Sequence, residues 1–449
     1  MITNEQIIET LDKWNFWKTP LETGITRSKY LDKLKLFLKT DEIVVVTGIR
    51  RSGKSTILYQ LIKYLISEKD VNKLNTLYIN FEDDSFYPYL DIKLLNQILE
   101  AYKKIINPKG KIYIIFDEIQ KIEGWEHFVR SLYDRKENIK IFVTGSSATL
   151  LSSEFSTLLT GRHLTVHVYP LNFSEYLLFK GMKINLNTKN NKIGNSKIGL
   201  IRNKNKLIEL SRQFLKEGGF PKVILTKNEL IKNELLTSYF NDIIVKDIVH
   251  RYKIRDLPKI KNLALFYAAN FCEPISFNSI KNMLNENSVE TIERYSAFLE
   301  SSYLIFFNRM FAYSLKKQMA NERKVYFIDN GMRNAVAFQF KDMFGNLLEN
   351  AVYLELLNNN EGDVFYHKDE KEVDFIIKKG LKINVLINAC WDISKKENEE
   401  REIQSLLNAM EIYKQKKGYI ITINQEKKIR IKEKIIEIIP FYKFCLNPP

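Results

Sequence analysis

Gly48-Ile49-Arg50-Arg51-Ser52-Gly53-Lys54-Ser55 sets two glycines, a lysine and a hydroxyl at a spacing suited to a ligand with several anionic oxygens. The glycines let successive backbone N–H groups turn inward around phosphate oxygens. Lys54 would then reach the β- and γ-phosphates of a nucleotide, and the Ser55 hydroxyl would ligate Mg²⁺. The apolar run EIVVVT precedes this loop, and Thr56 continues it into a helical pattern. A strand therefore leads in, and the positive end of a helix points at the same anion.

A second group supports the first. KIYIIFDEIQ places Asp117 and Glu118 at the carboxyl end of a strand apolar enough to be buried on both faces, the end where ligands bind in parallel sheets. Asp117 would hold Mg²⁺, commonly through water, and Glu118 would orient or polarise the attacking water. Taken alone, an Asp-Glu pair is equally a solvated strand end. IKIFVTGSS ends in Thr144, Ser146 and Ser147, where a hydroxyl could sense a γ-phosphate or serve ordinary turn chemistry. Arg162, in LLTGRHL, is a candidate for stabilising charge on the transferred phosphoryl, in cis or from a neighbouring subunit. Glu82, Asp83 and Asp84 close YINFEDD, either in the same crevice or as a helix cap.

Positioning these groups requires an α/β domain. From Asp41 to about Pro170, short Ile/Val/Phe-rich runs alternate with longer helical patterns, as in a parallel sheet with crossover helices on both faces. The spacing predicts strands at Glu42–Val46, Thr76–Phe81, Lys111–Phe116, Lys140–Val143 and Leu164–Val168. The expected order of parts is a helical lead over 1–30, a nucleotide-binding domain over 31–180 and an Asn/Lys-rich insertion or boundary over 181–206. A helical region over 207–335 and a C-terminal α+β domain over 336–449 complete it. Within the third part, ISFNSIKNMLNENSVETIERYSAFLESSYLIFF reads as helix, polar turn, helix and strand, the order of a winged helix.

The length of 449 residues rules out a single small module. Hydrophobic residues at 45% and charged residues at 27% rule out wholesale disorder. Lys and Arg total 69 against 54 Asp and Glu, a surplus of +15 that suits nucleotide, nucleic acid or another anionic partner, although lysines spread over a whole chain mostly solvate helix faces. The cysteines Cys272, Cys390 and Cys445 are too far apart for a CxxC pair or a disulfide framework, which fits a reducing, cytoplasmic setting. The N-terminus lacks the pattern of a secretion signal, and the apolar runs are too short to cross a bilayer, so no membrane partner is expected.

In this order, TGIRRSGKST, YINFEDD, FDEIQKIEGWEHFVRSLYD, FVTGSSATLL, LTGRHLTVHVYPLNFSEYL and EGGFPKV resemble a family of archaeal and bacterial AAA-type ATPases. IIVKDIVHRY, KVYFIDNGMRNA, GNLLENAVYLELL and KEVDFIIKKG resemble the C-terminal domain of unknown function in that family. The resemblance implies a P-loop ATPase core with one strand between the Walker A and Walker B strands, then a winged helix, then a nuclease-like fold. ATP and Mg²⁺ are the implied ligands. DNA or a protein at the winged-helix region, and a second copy of this chain, are the candidate partners.

The C-terminal order, with Glu349 on a first helix and Asp374 on a second strand, also resembles a restriction-endonuclease-like core. Such nucleases need an acid and a lysine on the third strand to stabilise hydroxide and the pentavalent phosphate. That strand here reads Ile387-Asn388-Ala389-Cys390, so Asn388 stands for the acid and Cys390 for the lysine, with Lys382 the first substitute to consider. Active cleavage is therefore not expected. The main reading is Mg-dependent ATP hydrolysis that moves the appended domains. The alternative is an ATP-regulated DNA-binding protein, against which the candidate recognition helix SVETIERYSAFLE sets three glutamates and one Arg294.

Overall fold

The computed structural model describes residues 2–146, 161–182, 203–337, 343–359 and 362–448. The chain divides into two compact units, Met1–Val168 and Tyr169–Pro449.

The first unit holds α1 (Asn4–Asp12), α2 (Ser28–Phe37), β1 (Ile43–Thr47), α3 (Lys54–Glu68), β2 (Thr76–Asn80), α4 (Ile92–Ala101), β3 (Ile112–Asp117), α5 (Trp125–Asp134), β4 (Ile139–Gly145) and β5 (His163–His167). The five strands are all parallel in the order β2-β3-β4-β1-β5, so β4 lies between the strand that feeds the glycine loop and the strand that ends in Asp117. Alternation along β1 explains the layering. Ile43 and Val45 pack with α1, α4 and α5 on one face, and Val44 and Val46 pack with α2 and α3 on the other. The five predicted strands each fall within two residues of the observed ones.

The segment after α1 covers the open edge at β2, where unpaired backbone groups would otherwise be exposed. The Asn15 side chain donates to Tyr78 O and accepts from Tyr78 N, both at 2.8 Å, and Trp17 Nε1 donates to Thr76 O at 2.8 Å. The lead over 1–30 falls within the first unit.

The second unit begins earlier than 181. Tyr169 onward belongs to it because the helix Phe173–Phe179 seats Phe173 against Phe214 and Phe441, with ring centroids 5.5 Å from each. Of the Asn/Lys-rich stretch, 183–202 lies outside the described residues. Further on come the helix Leu257–Ala269, β6 (Pro274–Ile275), helices Phe277–Met283 and Val289–Ser301, β7 (Ile305–Arg309) and β8 (Arg323–Phe327). These strands form an antiparallel sheet in the order β6-β8-β7. The C-terminal part runs from the helix Phe344–Asn359 through β9 (Asp363–Lys368), β10 (Glu372–Lys379), β11 (Lys382–Ala389), the helix Lys396–Ile412, β12 (Lys417–Thr422), β13 (Lys427–Ile431) and β14 (Lys434–Pro440) to the helix Phe441–Leu446. Its mixed six-stranded sheet has the order β13-β14-β12-β11-β10-β9.

Two motifs of the second unit meet at one carboxylate. Asp329, of FIDNG, accepts from Gly219 N at 2.6 Å and Met332 N at 2.8 Å. A Cβ on Gly218 would lie 2.2 Å from its Oδ1, which accounts for the glycine in EGGF. Burial pushes the Asp329 carboxyl up to about 6, against the pull of backbone N–H donors from Gly219, Met332 and Gly331. A carboxyl raised in the folded state stabilises below its unfolded value, and that contribution is lost as pH rises from about 4 through about 6. Asp329→Ala would leave several buried N–H groups unsatisfied at about 1–3 kcal/mol each. Urea denaturation at neutral pH is expected to show a loss of that order. An unchanged midpoint would mean that water replaces the carboxylate.

Candidate functional site

The loop between β1 and α3 is built to stay open. Gly48 has φ 145° and a Cβ there would lie 2.1 Å from Val168 O, so no side chain fits. Arg51 and Gly53 also hold positive φ, at 68° and 96°. Ile49 is buried and anchors the turn, whereas Arg51 and Thr56 are exposed. Arg50 pairs with Glu82 at 2.7 Å. From the N-terminal segment, buried Arg27 donates through Nη1 to Ser52 O at 2.7 Å and ties the loop from outside.

Four elements bring the predicted polar groups together. Ser55 Oγ, on the first turn of α3, donates to Asp117 Oδ2 at 2.8 Å. The Tyr78 hydroxyl, from β2, donates to the same oxygen. From β4, the Thr144 hydroxyl donates to Asp117 Oδ1 and accepts from Glu118 N at 2.9 Å. Its one proton is thus directed at the Asp117 carboxylate. Ser146, two residues further on, is buried, and Ser147 lies outside the described residues.

Lys54 and Glu118 face each other across the crevice. The Lys54 ammonium donates to Gly48 O at 3.0 Å and Ile49 O at 3.2 Å, and stands 3.8 Å from Glu118 Oε1. Glu118 itself holds φ 56°, a left-handed conformation that costs a non-glycine residue of order 1 kcal/mol or more. Burial raises its carboxyl above the ordinary value, and the Lys54 and Arg50 charges work against that rise. Gln120 Nε2 donates to its other oxygen.

The residues fit a polyphosphate with a divalent cation. The Ser52 hydroxyl is fully buried in the loop and has no hydrogen-bond partner, an orphaned polar group where a phosphate oxygen would be received. The Ser55 hydroxyl and the Asp117 carboxylate, already in contact, supply the hard oxygen donors that Mg²⁺ prefers.

A family model described as an AAA domain matches residues 40–177. Two more, described as domains of unknown function (DUF8612 and DUF4143), match 208–342 and 344–444. The uncharacterized protein MJ1544 of Methanocaldococcus jannaschii is 36% identical over 430 residues, covering 92% of this chain and 90% of that one. The chain belongs to this family of AAA-domain proteins. An uncharacterized protein of Haemophilus influenzae is 32% identical over 395 residues, covering 87% of this chain and 92% of that one. Among solved structures, the Walker-type ATPase paby2304 of Pyrococcus abyssi is 13% identical, with a TM-score of 0.43 over 72% of this chain and 99% of that one.

Arg162 is not with the other site residues of its own chain. Its carbonyl accepts from Ile43 N at 2.9 Å, and its guanidinium lies 3.5 Å from Asp134, at the amino ends of the parallel strands. The glycine loop is at their carboxyl ends, about 16 Å away at roughly 3.3 Å per strand residue, farther than an arginine reaches. Of the acids after β2, Glu82 belongs to the crevice through Arg50, while Asp83 accepts from Trp14 Nε1 at 2.7 Å and fastens the N-terminal segment.

The sequence reasoning missed Arg27, Tyr78 and Gln120. The FDEIQ string carries a signal for Gln120, two residues after Glu118. Arg27 and Tyr78 reach the site through tertiary packing and have no local signature. No helix among the described residues is long and apolar enough to cross a membrane.

Proposed function

We propose that the first unit binds Mg·ATP and hydrolyses it, and that the cycle moves the appended parts of the chain. The convergence of Lys54, Ser55, Asp117 and Glu118 at the carboxyl ends of β1 and β3 carries this reading. Residues Gly48 to Thr56 cradle the phosphates, and the Lys54 ammonium exchanges loop carbonyls for β- and γ-phosphate oxygens. Ser55 and Asp117 hold Mg²⁺, which neutralises phosphate charge when bound. Glu118 accepts the proton of the attacking water, while Thr144 and Tyr78 hold the Asp117 carboxylate in place. Arg162 serves the site of a neighbouring copy.

In the second unit, the order helix, β6, helix, helix, β7, β8 supports a winged helix. Its second helix of the pair, Val289–Ser301, exposes Glu290, Glu293 and Glu300 beside Arg294, a face better suited to a protein than to phosphates. The helix-three strands-helix-strand order of the C-terminal part supports a nuclease-like fold.

The test is nucleotide binding and ATP turnover, each with and without DNA, on the wild type and Lys54→Ala. Losing a charge-assisted contact of about 1.5–3 kcal/mol should weaken ATP binding by roughly 10- to 100-fold. Equal affinity in the variant would reject the phosphate-cradle assignment. Turnover that rises with DNA would favour the DNA-binding reading.

A further inference from the structure

The third strand of the C-terminal sheet lacks a catalytic cation. Cys390 is buried, and that burial pushes its thiol up to about 11, so it is neutral. Asn388 is also taken, its amide donating to Glu402 at 2.6 Å and Ser405 at 2.7 Å. Lys382 sits at the opposite end of β11, paired in register with Lys379 and exposed. The lysine that does reach the acidic pair comes from another sheet. Lys324, in the middle strand β8, places Nζ 2.9 Å from Glu349, 3.1 Å from Asp374 and 2.5 Å from Glu372.

This arrangement is closed. An ammonium has three protons, and three carboxylates take them, leaving none for a phosphate or a hydroxide. The Lys324 side chain is 2% exposed, so solvent and substrate do not reach it. Oxygens of the acidic pair have further donors, since Glu349 Oε1 also accepts from the Tyr326 hydroxyl at 2.7 Å and Asp374 Oδ2 accepts from Ala389 N at 2.8 Å. Burial alone would depress the ammonium, but Glu349, Asp374 and Glu372 outweigh it and hold its pKa well above the ordinary lysine value. It therefore stays charged. With its single positive charge the ammonium occupies the point between the carboxyl groups where a divalent cation would otherwise sit, while burial and Asp374 push the Glu349 carboxyl up to about 8 against the pull of Lys324.

We propose that Lys324 is a built-in cation that fills the carboxylate pocket of the C-terminal part in place of a divalent metal, locking the β6-β8-β7 sheet onto it and closing off metal-dependent chemistry there. The inference is independent of the ATPase reading, because every residue in it lies in the second unit.

The test maps metal position in the full chain by Fe²⁺/ascorbate hydroxyl-radical cleavage, competed with Mg²⁺ or Mn²⁺. Wild type should show no cuts around Glu349 and Asp374. Lys324→Met should gain cuts there that Mn²⁺ suppresses, together with a Mn²⁺-dependent rise in Tm that wild type lacks, and Lys324→Met/Asp374→Asn should lose both. Should Lys324→Met be too unstable to purify, Lys324→Gln/Glu372→Gln removes one charge of each sign and carries the same expectation. Cuts at the pocket in wild type, or none in a folded variant, would overturn the proposal.

Discussion

Glu118→Gln is expected to bind ATP like the wild type and to hydrolyse it about 10² to 10⁴ times more slowly, the range that a positioned general base contributes. The amide keeps the shape of the carboxylate and can still accept from Gln120, so the left-handed backbone at this position is undisturbed. What it cannot do is take a proton. Ser55 and Asp117, the proposed Mg²⁺ ligands, are untouched, and their mutual 2.8 Å contact does not involve Glu118. Binding and turnover therefore separate in this variant, whereas in Lys54→Ala both fall. Steady-state ATP hydrolysis at saturating nucleotide, beside direct binding, reads the difference. Unchanged turnover would move the base elsewhere in the crevice.

The parts of this site that were legible in the sequence are those where backbone conformation and residue type coincide over a few positions. The glycine loop is one, because Gly48 must admit Val168 O within 2.1 Å of where a Cβ would sit, and a buried apolar strand has to lead into it. The Asp117-Glu118 pair is another, since β3 is buried on both faces from Ile114 to its last residue. Runs of β-branched residues likewise marked the five strands of the first unit, as both faces of that sheet are covered by helices.

What was not legible depends on contacts across long stretches of chain. Arg27 holds Ser52 O from 25 residues away, and nothing in its neighbourhood sets it apart from other arginines. The compact units divide after Val168, ahead of the expected boundary at 180, since Phe173 and Tyr176 pack on Phe214 of the second unit, although the AAA family match itself runs to residue 177. The C-terminal pocket shows the same limit. Its acids Glu349 and Asp374 were readable from element order, but the lysine between them is 25 residues before one and 50 before the other, on a strand of a different sheet.

Arg162→Ala is expected to lower turnover by roughly 10³ to 10⁵ with a much smaller loss of ATP affinity, because charge on the transferred phosphoryl develops in the transition state. Its place at the amino ends of β1 and β5 puts it beyond its own glycine loop, so the effect requires a second copy of the chain. In a single chain the guanidinium faces Asp134 at 3.5 Å and the Tyr133 ring, an exposed pair of small energetic weight. Such a pair gives way easily when a neighbour's phosphates approach. This geometry permits a test that a surface arginine cannot mimic. Glu118→Gln retains Arg162, and Arg162→Ala retains Glu118, so each variant is nearly inactive alone. Mixed in equal amounts, they form some interfaces at which an intact Glu118 meets an intact Arg162, and ATP turnover should rise well above the sum of the two. Wild-type activity per chain should also rise with protein concentration. Normal kinetics for Arg162→Ala at every concentration, or no gain on mixing, would place this residue outside the reaction.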